Sequence, residues 1–302
     1  MACAVPIVAV GFWMAWHWPV IESGGRQLLG ADRSWLLAAL AATVLGWVAV
    51  SFSRQGTVIE SLPAGRLFAA QFAAGAANHL LPAGLGAGAV NLRFFRRCGL
   101  PAGRSSAALA LYLLAESVGR VLLLLILLAV FPGALRLDTL IPSGAVLPLV
   151  LTAAGAAGAV VLVVLAVRPL RRVTVTFLGT ALTDVRSLHT KPARALALWG
   201  GSLAFPALQA AGLVAVALAL RIPVPVAYVA IAYLAASVAA AAIPTPGGLG
   251  SVDAALVVAL VTVGASVAPA TSAVLGFRII TVWMPLVPGA LTLGALVRWK
   301  VV

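Results

Sequence analysis

The feature that most constrains this chain is a succession of uninterrupted apolar blocks, most of them about 18 to 27 residues long. At 1.5 Å of rise per residue, a helix of that length crosses a hydrocarbon core of roughly 30 Å. Inside lipid every backbone amide needs a partner, which leaves helices or a closed barrel as spanning structures. The blocks are apolar throughout and lack a two-residue alternation, which disfavours the barrel. Candidate full spans are roughly 2–20, 35–52, 107–131, 146–167, 195–220 and 271–297, and two further apolar stretches, about 67–90 and 226–264, are interrupted by glycine and proline. Charged residues make up only 9% of the chain, against about a quarter in a soluble domain, so the blocks cannot be the core of a water-soluble fold. The expectation is an all-α polytopic membrane protein forming a single transmembrane domain over residues 1–302.

The formal net charge of +13 does not point to nucleic acid, because the basic residues fall mostly in short connections between apolar blocks. That is the positive-inside pattern. It places Arg54, Arg66, the cluster Arg93, Arg96, Arg97 and Arg104, the loop Arg168 to Arg194, and the tail Arg298 and Lys300 in the cytoplasm. The connections at 132–145, 221–225 and 265–270 then face outward, with Arg26 and Arg33 as exceptions to the bias. For Arg66 and Arg93 to share a side, the stretch 67–90 must enter the membrane and return, and 226–264 does the same from the other side. Each half is short, which favours re-entrant hairpins over two full crossings, although both give the same sidedness for the ends. The expected architecture is therefore about six full spans plus two hairpins, with both termini cytoplasmic. Residues Met1 to Val20 have no basic flank and suit a retained span better than a cleaved signal. Trp13, Trp16 and Trp18 read as an interfacial belt.

The two interrupted stretches share a pattern. Pro82-Ala83-Gly84-Leu85-Gly86 and Pro246-Gly247-Gly248-Leu249-Gly250 both read P-x-G-L-G, offset by 164 residues. Such a pentapeptide can recur by chance in a chain with 29 Gly and 18 Pro. The same offset, however, carries the span near Trp35 onto one near Trp199 and 107–131 onto 271–295. The charge rule independently gives corresponding spans opposite directions. This is the signature of an inverted-topology repeat, with halves of about 1–131 and 146–302 joined by an outer loop. In each break glycine permits a close backbone approach and proline ends the helix. The amides freed at the next helix start then favour an anion, with phosphate the natural candidate.

Ionisable groups inside the spans are few. Glu116 and Arg120 sit four residues apart near the middle of 107–131. Either they form a self-neutralising structural pair, or they line a headgroup cavity and exchange partners with substrate. Asp253 opens the second half of the outer hairpin, and Arg278 lies inside the last span within reach of pairing with it. In the functional reading Arg120 and Arg278 offer stations for a phosphate, while Glu116 and Asp253 take an amine or a proton. Asn78 and His79 precede the first break, and Arg93 stands at its mouth, where Arg93, Arg96 and Arg97 gather anionic lipid in the functional reading and anchor topology in the bland one. Cys3, Cys98, His17, His79 and His189 are scattered without metal-ligand spacing. No P-loop motif is present, so no cofactor, metal or catalytic residue is expected.

The segment from Ile243 through Pro246, Gly250 and Asp253 to Leu256, followed by Arg278, resembles the signature of the lysylphosphatidylglycerol synthase transmembrane (flippase-like) family. Asn78 to Gly86, with Arg93, Arg96, Arg97 and then Glu116 downstream, resembles its other signature. The likeness runs from about residue 35 to the end. Ala87 stands where the family often has glutamate, Ser117 where it has arginine, and Asp253 replaces a glutamate. The resemblance implies a multi-pass protein of the bacterial inner membrane that translocates a phosphate-bearing lipid. It would do so without the soluble aminoacyltransferase domain and so without being an enzyme. An alternative within the same likeness is a subunit that presents lipid to a separate synthase or glycosyltransferase. The implied partners are membrane lipids, through anionic headgroups, and a lipid-modifying enzyme. The sequence leaves lipid identity and homo-oligomerisation open.

Overall fold

The structure, a computed structural model, describes residues 29–80, 85–134, 190–240 and 251–302. The expected spans 2–20 and 146–167 lie outside the described residues. So do most of both glycine-proline breaks, including Pro82, Gly84, Pro246, Gly247, Gly248 and Gly250. The described residues form helices and connecting turns, with no strand among them.

Helices α1 (Arg33–Gly56), α2 (Ala64–Leu80), α3 (Leu85–Arg97) and α4 (Ala102–Val130) precede α5 (Pro192–Ala219), α6 (Val226–Ala240), α7 (Ser251–Thr262), α8 (Val267–Arg278) and α9 (Met284–Arg298). Four helical elements are long and apolar enough to cross a membrane: α1, α4, α5 and the continuous run Val267–Arg298. They agree with the spans read from the sequence to within about five residues at each end. The helices of the two interrupted stretches are shorter. The described parts of α2, α3, α6 and α7 cover 17, 13, 15 and 12 residues, roughly 18–26 Å of helical rise, and each borders the undescribed residues of its break. Helix α3 extends to Arg97, seven residues past the expected end of its stretch, because Phe94 and Phe95 are buried there.

Helices α1 and α5 form the central antiparallel pair. Asp32 caps α1 by accepting from the Ser34 amide at 2.9 Å, and its own amide donates to the Ala219 carbonyl at the end of α5 at 3.1 Å. At the other end α5 starts on Pro192, whose missing N–H costs nothing in a first turn. Arg194 there donates to the carbonyls of Gln55, Ile59 and Glu60 and closes the end of α1. Helix α4 joins this rim through Arg104, which binds Glu60 at 2.8 Å. Partial burial pushes the Glu60 carboxyl up, but backbone N–H bonds and Arg104 together hold it below the usual carboxylate range. The bridge is therefore fully charged at neutral pH.

Small residues let the α1–α5 backbones touch. Ser53 Oγ meets Ser202 Oγ at 2.7 Å, and a Cβ added at Gly201 would lie 2.5 Å from the Ala49 carbonyl oxygen and 2.7 Å from the Ser53 nitrogen. With lipid on the outside, such packing replaces the hydrophobic drive between helices. Pro206, inside α5, has no N–H for the Ser202 carbonyl. That carbonyl lies 2.6 Å from where a Gly119 Cβ would stand on α4, so the proline and the glycine together dock α4 on the pair. Gly201→Ala is expected to cost about 1–3 kcal/mol, read as a lower thermal midpoint in detergent. Gly200→Ala, which meets nothing within 4 Å, should leave the midpoint unchanged.

Two apolar cores are built around this pair. One gathers α2, α3, the end of α9 and the turn residues Val58, Leu62 and Leu100. The other gathers α6, α7, α8 and the far halves of α1 and α5. Within the first core, Gln71 of α2 donates to Asn91 of α3 at 2.8 Å, and Asn91 donates to the Ala87 carbonyl at 2.8 Å. This satisfied amide pair fixes how the two short helices meet.

Helices α8 and α9 are joined by a π segment, Ile279–Trp283, in which the Met284 amide donates to the Ile279 carbonyl. Pro285 and Pro288 follow at once. Without amide hydrogens they cannot continue the four-residue ladder, and the helix widens just after Arg278.

Candidate functional site

Helix α4 carries a polar stripe at four-residue spacing: Tyr112, Glu116 and Arg120. Arg120 Nη2 donates to Glu116 Oε1, and both side chains are mostly covered. The structure therefore pairs the two residues as their spacing predicts. Side chains lean toward the start of their helix, so Arg120 reaches back to Glu116 and Glu116 back toward Tyr112. Along α4 the pair falls between Ala108, which belongs to one apolar core, and Leu123, which packs on the other.

The second pair closes a longer loop. Arg278, the last residue of α8, donates through Nε to Asp253 Oδ1 in the first turn of α7. Asp253 thus lies in the first turn of α7, where the helix dipole favours a carboxylate. Tyr233 of α6 packs edge-on against Phe277 at 5.7 Å. Arg120, Arg278 and Glu116 all lie within Coulombic reach of its buried hydroxyl. The two ion pairs are thus electrostatic neighbours of one buried hydroxyl on α6, and form with it the polar array of α4, α6, α7 and α8.

His79 extends the array to the end of α2. Arg278 and Asp253 are both within Coulombic reach of it, and its Nδ1 is buried without a hydrogen-bond partner. It borders a narrow cavity of about 30 Å³ shared with Trp47, Phe72 and Thr281, roughly the space of one water. His79 comes shortly before the first glycine-proline break and Asp253 shortly after the second. The described residues flanking the two breaks therefore converge on Arg278.

Arg54 is the group that sequence reasoning passed over. By position it belongs with the rim arginines, yet it is 6% exposed. Its guanidinium carbon lies 3.5 Å from the centroid of the Tyr112 ring. Because α1 ends at the rim, the lean of its side chains turns Arg54 inward rather than toward the headgroups. The Tyr112 face supplies a cation–π contact, Glu116 lies within Coulombic reach, and Nε and Nη1 have no hydrogen-bond partner. Tyr112, Tyr233, Gln71 and Asn91 were equally invisible as site residues, since single polar residues in apolar helices give no periodic signal.

The remaining sequence candidates are more dispersed. Gly86 is buried at the start of α3, where an added Cβ would fall 1.9 Å from the Ala77 carbonyl oxygen, so it is a packing contact between α2 and α3. Arg93 is exposed on α3 with Arg96 and Arg97, away from the array. An arginine held by a carboxylate in this setting can exchange that partner for a phosphate, which offers the same fork of acceptor oxygens.

The family profile described as the lysylphosphatidylglycerol synthase TM region matches residues 3–289. No curated protein matches the chain.

Proposed function

The chain belongs to the lysylphosphatidylglycerol synthase TM-region family, and from that premise we propose that it translocates a phosphate-bearing lipid across the bilayer. The observation that carries this reading is the convergence of Glu116–Arg120, Arg278–Asp253, Tyr233 and His79 into one array within the apolar part of the protein. Charges at that depth are expensive and are retained where they meet a substrate, a proton or each other. Arg120 and Arg278 would receive the phosphate in turn while Glu116 and Asp253 take a headgroup amine or a proton. The acyl chains would remain in the membrane throughout.

Two further features support an inverted repeat with hairpins entering from opposite faces. Shifted by 164 residues, the starts of α1, α2 and α4 (33, 64 and 102) become 197, 228 and 266, within five residues of the starts of α5, α6 and α8 at 192, 226 and 267. The α2–α3 hairpin packs in one apolar core and the α6–α7 hairpin in the other. By the charge rule we place the rim of Arg66, Arg104 and Arg194 in the cytoplasm of a bacterial inner membrane.

The family's description names a synthase, which favours a second reading: presentation of lipid to a separate lipid-modifying enzyme. Liposomes containing the purified protein and headgroup-labelled phospholipids, read by a membrane-impermeant quencher, separate the two. Translocation predicts that the protected inner-leaflet fraction becomes quenchable with native protein and stays protected with Glu116→Gln. Unchanged protection for every phospholipid and polyprenyl phosphate tried leaves the presenting role.

A further inference from the structure

A second cationic feature lies at the rim, away from the array. A cleft of about 580 Å³ opens between the start of α2, the end of α3 and the end of α9. Arg66, Arg97 and Lys300 stand around it with Trp299, above an apolar floor that includes the partly exposed Ala69 and Val301. The three cations come from helix ends far apart in sequence. Among the described residues none of the three side chains has a hydrogen-bond or ion-pair partner, and the acid of this rim, Glu60, is held by Arg104. Arg66 precedes His79 by thirteen residues of α2, about 20 Å of helical rise, so the cleft is separate from the intramembrane groups.

The backbone at Lys300 is unusual for a lysine. Val301 N donates to the Leu296 carbonyl at 2.9 Å and Lys300 N to the Val297 carbonyl at 3.1 Å, the bonds of a Schellman ending, with Lys300 left-handed at φ 56°. Helices α3, α5 and α7 end with the same bonds, and there the left-handed residue is Gly99, Arg221 and Gly264 respectively. Glycine adopts that conformation freely and lysine does so at a cost. Lys300, like Arg221 at the end of α5, is a cation at a left-handed helix end, and it borders the cleft.

We propose that this cleft is a separate binding site for the phosphodiester of an anionic phospholipid in the leaflet that meets the basic rim. Arg66, Arg97 and Lys300 bind the phosphate, and the glycerol and upper acyl carbons rest on Ala69 and Val301. Trp299, 71% exposed, sits at headgroup level, where indoles are favoured. A soluble phosphate ester shares the phosphate chemistry, but it has no use for an apolar floor beside an interfacial tryptophan. The site requires binding alone and stands whether or not the protein moves lipid.

The test uses the full chain in phosphatidylcholine nanodiscs doped with phosphatidylglycerol, with retained phosphatidylglycerol read by native mass spectrometry. Each of Arg66→Gln, Arg97→Gln and Lys300→Gly is expected to weaken retention about fivefold, and the triple variant more than tenfold. Lys300→Gly relaxes the left-handed turn, so an unchanged thermal midpoint in pure phosphatidylcholine certifies the fold. Arg33→Gln, at an exposed arginine that does not border the cleft, should leave this retention intact. Equal retention by the triple variant and the native protein overturns the site. Displacement of the lipid by glycerol 3-phosphate at matched concentration overturns its assignment to a lipid.

Discussion

Arg278→Leu is expected to abolish lipid translocation, with a fall of about hundredfold or more in the headgroup-accessibility assay. The substitution leaves Asp253 without its guanidinium partner inside the apolar part of the protein, and stranding one member of a buried pair costs about 3–5 kcal/mol. A rise of about 3 kcal/mol in a barrier already accounts for that hundredfold loss. Misfolding could produce the same result, so the informative comparison is the double variant Arg278→Leu/Asp253→Leu. With both charges gone, no unpaired ion remains and the thermal midpoint should return close to the native value. Translocation should stay absent, because the phosphate station has gone with the arginine. Recovered translocation in the double variant makes the pair a structural fastener and removes Arg278 from the mechanism.

Gly86→Ala is expected to have the second largest effect. The new Cβ would lie 1.9 Å from the Ala77 carbonyl oxygen and 2.4 Å from its carbon. Both are main-chain atoms of α2, so no side chain can rotate away, and α2 and α3 must separate. Overpacking of this kind costs about 3 kcal/mol or more when backbone is the obstacle. The shift falls two residues before His79, where α2 reaches the array. Translocation should therefore fall along with the thermal midpoint in detergent. Gly88→Ala meets nothing within 4 Å and should behave as the native protein in both assays.

These residues also show what could be read from sequence and what could not. The four described spans were legible because a bilayer demands long helices of apolar residues. Glu116 and Arg120 were legible as a pair because one helical turn separates them. Asp253 and Arg278 were legible as candidates within reach of pairing, and their bond forms because α7 and α8 fold back across twenty-four intervening residues. Gly86 was read as part of a substrate-facing turn, whereas its described role is a main-chain contact with α2.

Arg54 illustrates a different limit. Two residues before the end of α1 it looks like any topological arginine, and only the direction of α1 and the position of Tyr112 turn it into a buried cation. The π segment left a trace, since Pro285 and Pro288 follow Arg278 closely, but two prolines do not by themselves distinguish a kink from a widened turn. The buried Gln71–Asn91 bond left none. Each amide is a single polar residue in its helix, and only the packing of α2 on α3 brings them together.

The measurement that bears most directly on lipid passage through the array is a density map of the protein in phosphatidylglycerol nanodiscs at a resolution that shows headgroups. Phosphate density between Arg120 and Arg278, with acyl chains leaving between helices into the bilayer, is the expected result. A map in which side chains close over Glu116, Arg120, Asp253 and Arg278, with no lipid reaching them in any class of particles, contradicts translocation by this array.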